Sequence, residues 1–249
     1  MGTTYNPAIV TDGLVFCVDA ANKRSYPGTG TTWTDLKGGN AGTLTNGPTF
    51  SSDNRGVLSF DGTNDTCVFP TTTQGSNTVN QFYSQLINNF TLEFICRPYN
   101  TITEKNELHY GYDGTTGQRY LTNATKYSGA STSANAATLI SIGTNAIQVV
   151  SHADSHMPIN LKYVTSLSSI NHFTVSYSGS DPSLYINGEH VRTTTITART
   201  VAFTSYELGG GGITYSGVNA DIYMFKAYSR PLTADEIRQN YEATVGRYT

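Results

Sequence analysis

Alternating apolar and polar residues recur along most of the chain, and they predict short β-strands separated by turns. In residues 89–98, "NFTLEFICRP", every second residue from Phe90 to Cys96 is apolar, as expected of a strand with one buried face. Two more segments, "HFTVSYSG" and "SLYINGEHV", are predicted to pair, and the second contains Asn187-Gly188, a strong hairpin signal. About ten such segments without a repeat or linker predict an all-β, two-sheet antiparallel sandwich, with residues 1–249 as a single domain.

The stretch "SRPLTADEIRQNYEA" near the C-terminus departs from this pattern and predicts one short helix over residues 233–245. Thr233 and Glu236 have the spacing of a capping box, and Leu232 and Ile237 have that of a hydrophobic staple. A helix of about three turns is marginal alone in water, so we expect it to dock on an edge or rim of the sandwich. The expected anchors are Leu232, Ile237 and Tyr241.

Composition and charge exclude several classes of function. Only 13% of residues are charged and the net charge is −3, with no basic block, so binding to nucleic acid is not expected. Because no apolar run is long enough to span a bilayer, we expect no membrane insertion. Residues 1–12, an N-terminal arm, lack the charged and apolar regions of a secretory signal. Cys17, Cys67 and Cys96 lie in apolar runs, which favours buried free thiols over a disulfide or zinc site.

The turn "FDGTND" could hold calcium through the oxygens of Asp61, Asn64 and Asp65. The alternative is a turn whose side chains cap their own backbone, and it is favoured because three oxygens fall far short of a full calcium shell. A second candidate, "SHADSHM", has His152, Asp154 and His156 at every second position. These residues could bind a transition metal if the segment were a strand, but its composition is typical of a loop.

The segment "ELHYGYDGTTGQRY" concentrates aromatic and polar side chains among glycines. Aromatic faces suit the apolar patches of sugars, planar polar groups suit their hydroxyls, and tyrosines are also common in protein interfaces. The pattern is therefore compatible with glycan binding, with protein contact or with an ordinary tyrosine-rich loop. The candidate binding residues are Tyr110, Tyr112, Asp113, Arg119 and Tyr120.

Five blocks, in this order, resemble the laminin-G-like domains of the concanavalin A-like jelly-roll superfamily, and above all versions encoded by tailed bacteriophages of aquatic bacteria. The blocks are "GLVFCVDAANKRSYPGTGTTWTDLKGGNAGTLTNGPTF", "VLSFDGTNDTCV", "NFTLEFICRP", "LYINGEHV" and "IYMFKAYSRPLTADEIRQNYEA". Residues 100–164 follow no pattern of that family. The resemblance implies two antiparallel sheets, neighbouring first and last strands, a strand-end turn at "FDGTND" and a terminal helix at the rim.

Catalytic signals are missing from the sequence. Glycan hydrolysis needs two carboxylates across the scissile bond, and the glucanase branch of the resembled superfamily carries them as Glu-x-Asp-x-Glu on one strand. This chain has no such cluster: Glu93 stands alone on its strand, and Glu104 and Glu107 lie at odd spacing in a loop. No Gly-x-Ser-x-Gly elbow occurs either. We therefore expect no enzymatic activity and no required cofactor.

These observations lead to three hypotheses of function. The resemblance implies first a non-enzymatic structural protein of a phage virion, as a capsid decoration or a tail or fibre appendage. It would assemble in the host cytoplasm with other virion proteins, could form a homo-oligomer, and could contact host-surface glycans. The second hypothesis is a carbohydrate-binding lectin, with or without calcium. The third is a glycan-cleaving enzyme.

Overall fold

The computed structural model describes residues 7–108, 111–123, 127, 135–153, 156–196, 199–210 and 216–248. These residues form 18 strands and one α-helix. The strands are β1 (Leu14–Asp19), β2 (Thr32–Thr34), β3 (Ala41–Thr45), β4 (Thr49–Ser51), β5 (Val57–Asp61), β6 (Thr66–Val68), β7 (Thr71–Gln74), β8 (Asn77–Asn80), β9 (Phe90–Pro98), β10 (Asn135–Ile142), β11 (Ala146–His152), β12 (Ile159–Val164), β13 (Asn171–Ser178), β14 (Asp181–Ile186), β15 (Glu189–Thr193), β16 (Thr200–Ala202), β17 (Glu207–Leu208) and β18 (Asn219–Tyr228). The helix is α1 (Ala234–Val245), and short 3-10 helices cover Asp53–Arg55, Tyr83–Gln85 and Asp113–Thr115.

The first layer is an eight-stranded antiparallel sheet. Seven of its strands follow the order β15-β14-β13-β9-β18-β5-β4, and the eighth, β1, pairs with β18. Strand β18 is long enough to pair with two strands along one edge. Its first residues pair with β5, and its last residues pair with β1, where Leu14 lies opposite Tyr228. The first and last strands are therefore neighbours, as the resemblance implied.

The second layer consists of two four-stranded sheets, β12-β11-β10-β16 and β17-β6-β3-β2. The segment that follows residue 119 connects them, because Tyr120 bridges Ser141 of β10 and Thr122 bridges Leu208 of β17. Three strands of the second layer, β10 to β12, lie within residues 100–164, where the sequence follows no pattern of the resembled family. One pairing, between β10 and β16, is parallel; the other pairings of these two sheets are antiparallel. The predicted all-β sandwich with one C-terminal helix is confirmed.

Aromatic side chains fill the space between the layers. Phe94 and Phe173 stack with their ring centroids 5.3 Å apart, and Trp33 of β2 is completely buried in the same cluster. The three cysteines are buried and free, which confirms the prediction from their apolar surroundings. The turn "FDGTND" connects β5 of the first layer to β6 of the second, so it ends one strand and carries the chain across the sandwich.

The terminal helix α1 lies on the outer face of the eight-stranded layer, and the expectation of an edge or rim position is wrong. Asn240 of the helix hydrogen-bonds to Glu93 in the middle of β9, and Tyr241 packs beside His172 of β13 with ring centroids 5.9 Å apart. Central strands need cover on both faces when their outward side chains cannot all be solvated. Strand β9, predicted to be half-buried, is consequently buried on both faces, with Arg97 its only exposed residue.

The hairpin turn Asn187-Gly188 contributes to this docking. Both residues have positive φ values, 53° and 80°, as a two-residue turn with these residues requires. A Cβ atom on Gly188 would lie 3.1 Å from the Tyr241 ring. The glycine therefore supplies both the turn conformation and the close approach of helix and hairpin.

The helix begins as predicted, with a complete capping box between Thr233 and Glu236. The Thr233 hydroxyl accepts a hydrogen bond from the Glu236 N–H at 3.3 Å, and the Glu236 carboxylate accepts one from the Thr233 N–H at 2.9 Å. Leu232 and Ile237 are buried in one cluster with Val10 and Tyr228, so the staple also forms.

Replacing the cap tests this contribution to stability. We expect Thr233→Ala to lower the free energy of unfolding by about 1 kcal/mol because one helical N–H loses its acceptor. Urea denaturation followed by circular dichroism measures this loss. Thr233→Ser retains the hydroxyl and should match the wild type, so equal destabilisation by both substitutions would contradict the capping role.

Candidate functional site

A cleft of about 270 Å³ opens at the edge of the sandwich, where β12 of the second layer contacts β15 of the first. We call it the edge cleft. It is lined by Glu107, Leu108, Asn160, Thr194, Thr195 and Ile196. The chain segment that supplies Glu107 runs parallel to β12, with a bridge from Glu107 to Ile159. The segment that follows β15 supplies the opposite wall.

Glu107 connects the two layers at this cleft. Its Oε1 accepts a hydrogen bond from the backbone N–H of Lys162 in β12 at 2.6 Å, and its Oε2 pairs with Arg192 Nη2 of β15 at 2.5 Å. A third connection joins the Thr194 hydroxyl to the carbonyl of Asn160 at 2.9 Å. The cleft walls are therefore held together by polar contacts between edge strands.

Three residues form what we call the aromatic rim: Leu108, which lines the edge cleft, and Tyr112 and His156, whose rings face each other. The Tyr112 side chain is 56% exposed, and its ring lies parallel to that of His156, with centroids 6.3 Å apart and an interplanar angle of 7°. Leu108 is 41% exposed and also lines the cleft. The hydrogen bond from Met157 N–H to the Gly111 carbonyl, 2.6 Å long, keeps the two segments of the rim together.

The residues of the predicted aromatic loop lie in different environments. Tyr112 is the exposed member, while Asp113 and Arg119 are partly exposed. Tyr120 is completely buried and its hydroxyl donates to the Gly114 carbonyl at 2.6 Å, so the expectation that it offers its ring to a ligand is wrong. Its aromatic ring packs in the second layer because Tyr120 belongs to the segment that joins the two sheets. Tyr110 lies outside the described residues.

The side chains of the calcium candidate cap their own turn. Asp61 Oδ1 accepts the backbone N–H groups of Thr63 and Asn64 at 2.7 and 3.3 Å, and Asp65 Oδ2 accepts that of Asp61 at 3.0 Å. The hydrogen bond from Thr63 lowers the pKa of the Asp61 carboxyl, whereas burial raises the pKa of Asp65. Within the described ranges, no group of three or more His, Cys, Asp or Glu side chains is placed to hold a metal ion.

The histidine candidate falls at the end of β11. Ala153, which follows His152 at the end of the strand, forms an antiparallel bridge with His156. Both histidines are partly exposed, and Asp154 lies outside the described residues. His156 therefore contributes to the aromatic rim.

The three glutamates considered for catalysis have separate roles. Glu93 is 0% exposed and binds three partners beneath α1: Lys226, His172 Nε2 at 2.8 Å and Asn240 Nδ2 at 2.7 Å. Burial alone would raise the pKa of Glu93, but Lys226 and His172 hold it well below its usual range. Glu104 accepts a hydrogen bond from Asn145 at 3.2 Å, and Glu107 lines the edge cleft.

A second cavity, of about 160 Å³, lies between α1 and the outer face of the first layer. Its polar walls include Asn171, His172 and Asn187, and the helix side is formed by Tyr241 and Thr244. Neither this cavity nor the edge cleft was predicted from sequence. Their walls come from segments far apart in the chain, so no local motif could have indicated them.

Solved structures with the same fold are distant in sequence. A botulinum neurotoxin type G receptor-binding domain superposes with a TM-score of 0.62 at 14% identity, covering 93% of this chain and 51% of that one. A botulinum neurotoxin DC binding domain in complex with SialylT gives 0.60 at 10% identity, covering 94% and 52%. The Trypanosoma rangeli sialidase in complex with sialic acid gives 0.60 at 16% identity, covering 97% and 35%. The chain thus spans about half of the toxin domains and about a third of the sialidase.

Sequence comparison places the chain in a family. No curated protein sequence matches it significantly. In the described part of the chain, no helix is both long and apolar enough to cross a membrane. A family model for laminin-G-type domains, described as the concanavalin A-like lectin/glucanases superfamily, matches residues 62–238. With the sandwich and its terminal helix, this match shows that the chain belongs to the concanavalin A-like lectin/glucanase superfamily.

Proposed function

We propose that this protein is a non-enzymatic glycan-binding module whose ligand lies in the edge cleft and against the aromatic rim. The observation that carries the proposal is a cleft of about 270 Å³ lined by Leu108, with the Tyr112 ring, 56% exposed, following Gly111, where a Cβ atom would lie 3.6 Å from the Leu108 side chain. Pockets for small ligands are roughly 300–1,000 Å³, and the edge cleft lies just below the lower end of this range, so it suits a small ligand of one or two sugar rings.

The chemistry of the cleft matches that of a sugar. A pyranose has an apolar face that packs on an aromatic ring, and hydroxyls that need both donors and acceptors. Tyr112 offers the exposed ring, and Leu108 offers apolar surface. Thr195 offers a hydroxyl that can donate and accept, and the Thr194 oxygen can accept.

The arrangement of carboxylates favours binding over cleavage. Among the described residues, Glu107 is the only carboxylate that lines the edge cleft, whereas hydrolysis of a glycosidic bond uses a pair. Glu93 is buried under α1, where a polysaccharide has no access. Incubating the protein with glycans and measuring released reducing sugar tests this part of the proposal. Turnover that depends on Glu107 would overturn it.

Two of the structural neighbours supply a reason to test glycans, since they are complexes with SialylT and with sialic acid. At 10–16% identity these similarities support the fold and do not transfer a ligand. The ligand of this chain therefore has to be sought with a broad glycan panel. Repeating the measurement in EDTA tests whether calcium at Asp61, Asn64 and Asp65 takes part.

Display on a phage particle is the setting that we propose for this binding, on the basis of the resemblance to phage-encoded domains. In this setting the sandwich is a rigid scaffold attached to capsid or tail proteins, as a single copy or a homo-oligomer, and the edge cleft faces host glycans. Mass spectrometry of purified particles tests the proposal. Particles that lack the chain would contradict the virion location and leave glycan binding to be judged separately.

Removing the exposed ring is the direct test of the binding site. We expect Tyr112→Ala to weaken glycan binding about fivefold, because stacking on an aromatic ring contributes on the order of 1 kcal/mol. Tyr112→Phe retains the ring and should bind nearly as well as the wild type. Isothermal titration calorimetry with the best glycan of the panel measures both.

The matched control is Tyr99→Ala, which removes a tyrosine that is 45% exposed and belongs to neither the edge cleft nor the aromatic rim. We expect this variant to bind like the wild type. An equal loss from Tyr99→Ala and Tyr112→Ala would place the site elsewhere or indicate a general effect on folding.

A further inference from the structure

We infer that the edge cleft selects neutral glycans and rejects sialylated or otherwise anionic ones. This inference rests on the proposed glycan binding and names its ligand class. The expected ligand class differs from the sialic acid bound by one of the structural neighbours. The charges and the hydrogen-bonding groups of the cleft both favour neutral glycans.

The charge of the cleft is unfavourable for an anion. In the part of the chain that the structure describes, Glu107 is the only charged residue lining the cleft, and it is negative. Arg192, which flanks the cleft, pairs with Glu107 Oε2 at 2.5 Å. A ligand carboxylate that binds the remaining N–H groups of Arg192 would lie beside the Glu107 carboxylate. Juxtaposed like charges are a common means of rejecting a wrong ligand.

The neutral groups of the cleft point to the same class of ligand. Asn160 is 3% exposed at the cleft, and its Oδ1 has no hydrogen-bond partner. This atom needs a donor, which a sugar hydroxyl supplies and a carboxylate does not. Thr194 uses its hydroxyl proton on the Asn160 carbonyl, so its oxygen is likewise left as an acceptor. A neutral sugar satisfies these acceptors, and an anionic group adds only further acceptors.

Paired glycans test the inference directly. The wild-type protein is titrated with a neutral galactose-terminated oligosaccharide and with the same oligosaccharide capped by sialic acid. We expect the neutral form to bind at least about tenfold more tightly. Equal binding, or preference for the sialylated form, would overturn the inference and leave the proposed function standing. If the protein binds neither of these two oligosaccharides and no other glycan of the panel, the inference and the proposed function are both overturned.

Two substitutions at the ion pair should shift the preference in opposite directions. Glu107→Gln removes the negative charge, frees Arg192 and keeps an acceptor for the Lys162 N–H, so the preference for neutral glycans should shrink about tenfold. Arg192→Gln leaves Glu107 unpaired, so the preference should grow. Glu189→Gln, which breaks the exposed pair with Arg238 at the other end of β15, is the matched control and should change nothing. An unchanged preference in both Glu107→Gln and Arg192→Gln would overturn the charge mechanism.

Discussion

Lys226→Ala is expected to lower the free energy of unfolding by about 3–5 kcal/mol, one of the two largest effects that we predict. Lys226 is 1% exposed and forms an ion pair with Glu93, which is 0% exposed. Truncating the lysine leaves a carboxylate buried between the sheet and α1 with only His172 and Asn240 as partners. Urea denaturation followed by circular dichroism measures the loss.

The reason for the large effect is the asymmetry between making and breaking a buried pair. A complete pair adds little net stability because both charges lose their hydration, but one unpaired buried charge is very unfavourable. The double variant Glu93→Leu/Lys226→Met should therefore be more stable than Lys226→Ala. If the double variant were the less stable of the two, the desolvation argument would be wrong.

An exposed ion pair within α1 provides the control for the buried pair. Arg238 pairs with Glu242 at 3.1 Å, and both side chains are at least half exposed. Arg238→Ala should leave the free energy of unfolding nearly unchanged, because water and salt screen the interaction and solvate the remaining partner. A loss from Arg238→Ala as large as that from Lys226→Ala would show that burial does not explain the difference.

Trp33→Ala is expected to cost about 3–5 kcal/mol, comparable to the loss of the buried lysine. Trp33 is completely buried in the main core cluster and lies opposite Gly42 on the neighbouring strand. Gly42 is already crowded, since a Cβ atom there would lie 2.4 Å from the Phe69 ring. The substitution removes the largest side chain of the core and leaves a cavity that the neighbouring strands can close only in part.

Trp33→Phe separates the effect of lost packing from any contribution of the indole N–H. The indole Nε1 of Trp33 is buried without a partner, so replacement by phenylalanine removes an unsatisfied donor and leaves a smaller void. We expect Trp33→Phe to lose less than half as much stability as Trp33→Ala, measured by urea denaturation followed by circular dichroism. Equal losses would indicate that the indole makes an essential polar contact.

Local signals in the sequence determined the fold class and several of its details. The capping box at Thr233, the hairpin at Asn187-Gly188 and the alternation in residues 89–98 each depend on neighbours within a few positions. Such features follow from backbone geometry and side-chain chemistry that do not change with the rest of the molecule. The burial of the cysteines was predictable for the same reason, because each lies in a strongly apolar strand.

The candidate site could be predicted only in part. Tyr112 was among the expected binding residues and is exposed, but the local pattern did not distinguish it from Tyr120, which is 0% exposed. Two tyrosines in one loop differ because Tyr120 bridges the sheets of the second layer. The cleft itself depends on the approach of β12 and β15, whose contact no short motif encodes.

The sequence by itself therefore determined the all-β class, strong strands such as that in residues 89–98, where the helix begins and the hairpin turn at Asn187-Gly188. Only the tertiary structure decided that α1 covers the outer face of the first layer, that Glu93 is buried against Lys226, and that Glu107 connects two sheet edges. The physical reason is the distance along the chain over which each interaction acts. Propensities, caps and turns act over a few residues, whereas burial and ion pairing depend on which distant surfaces meet when the layers stack.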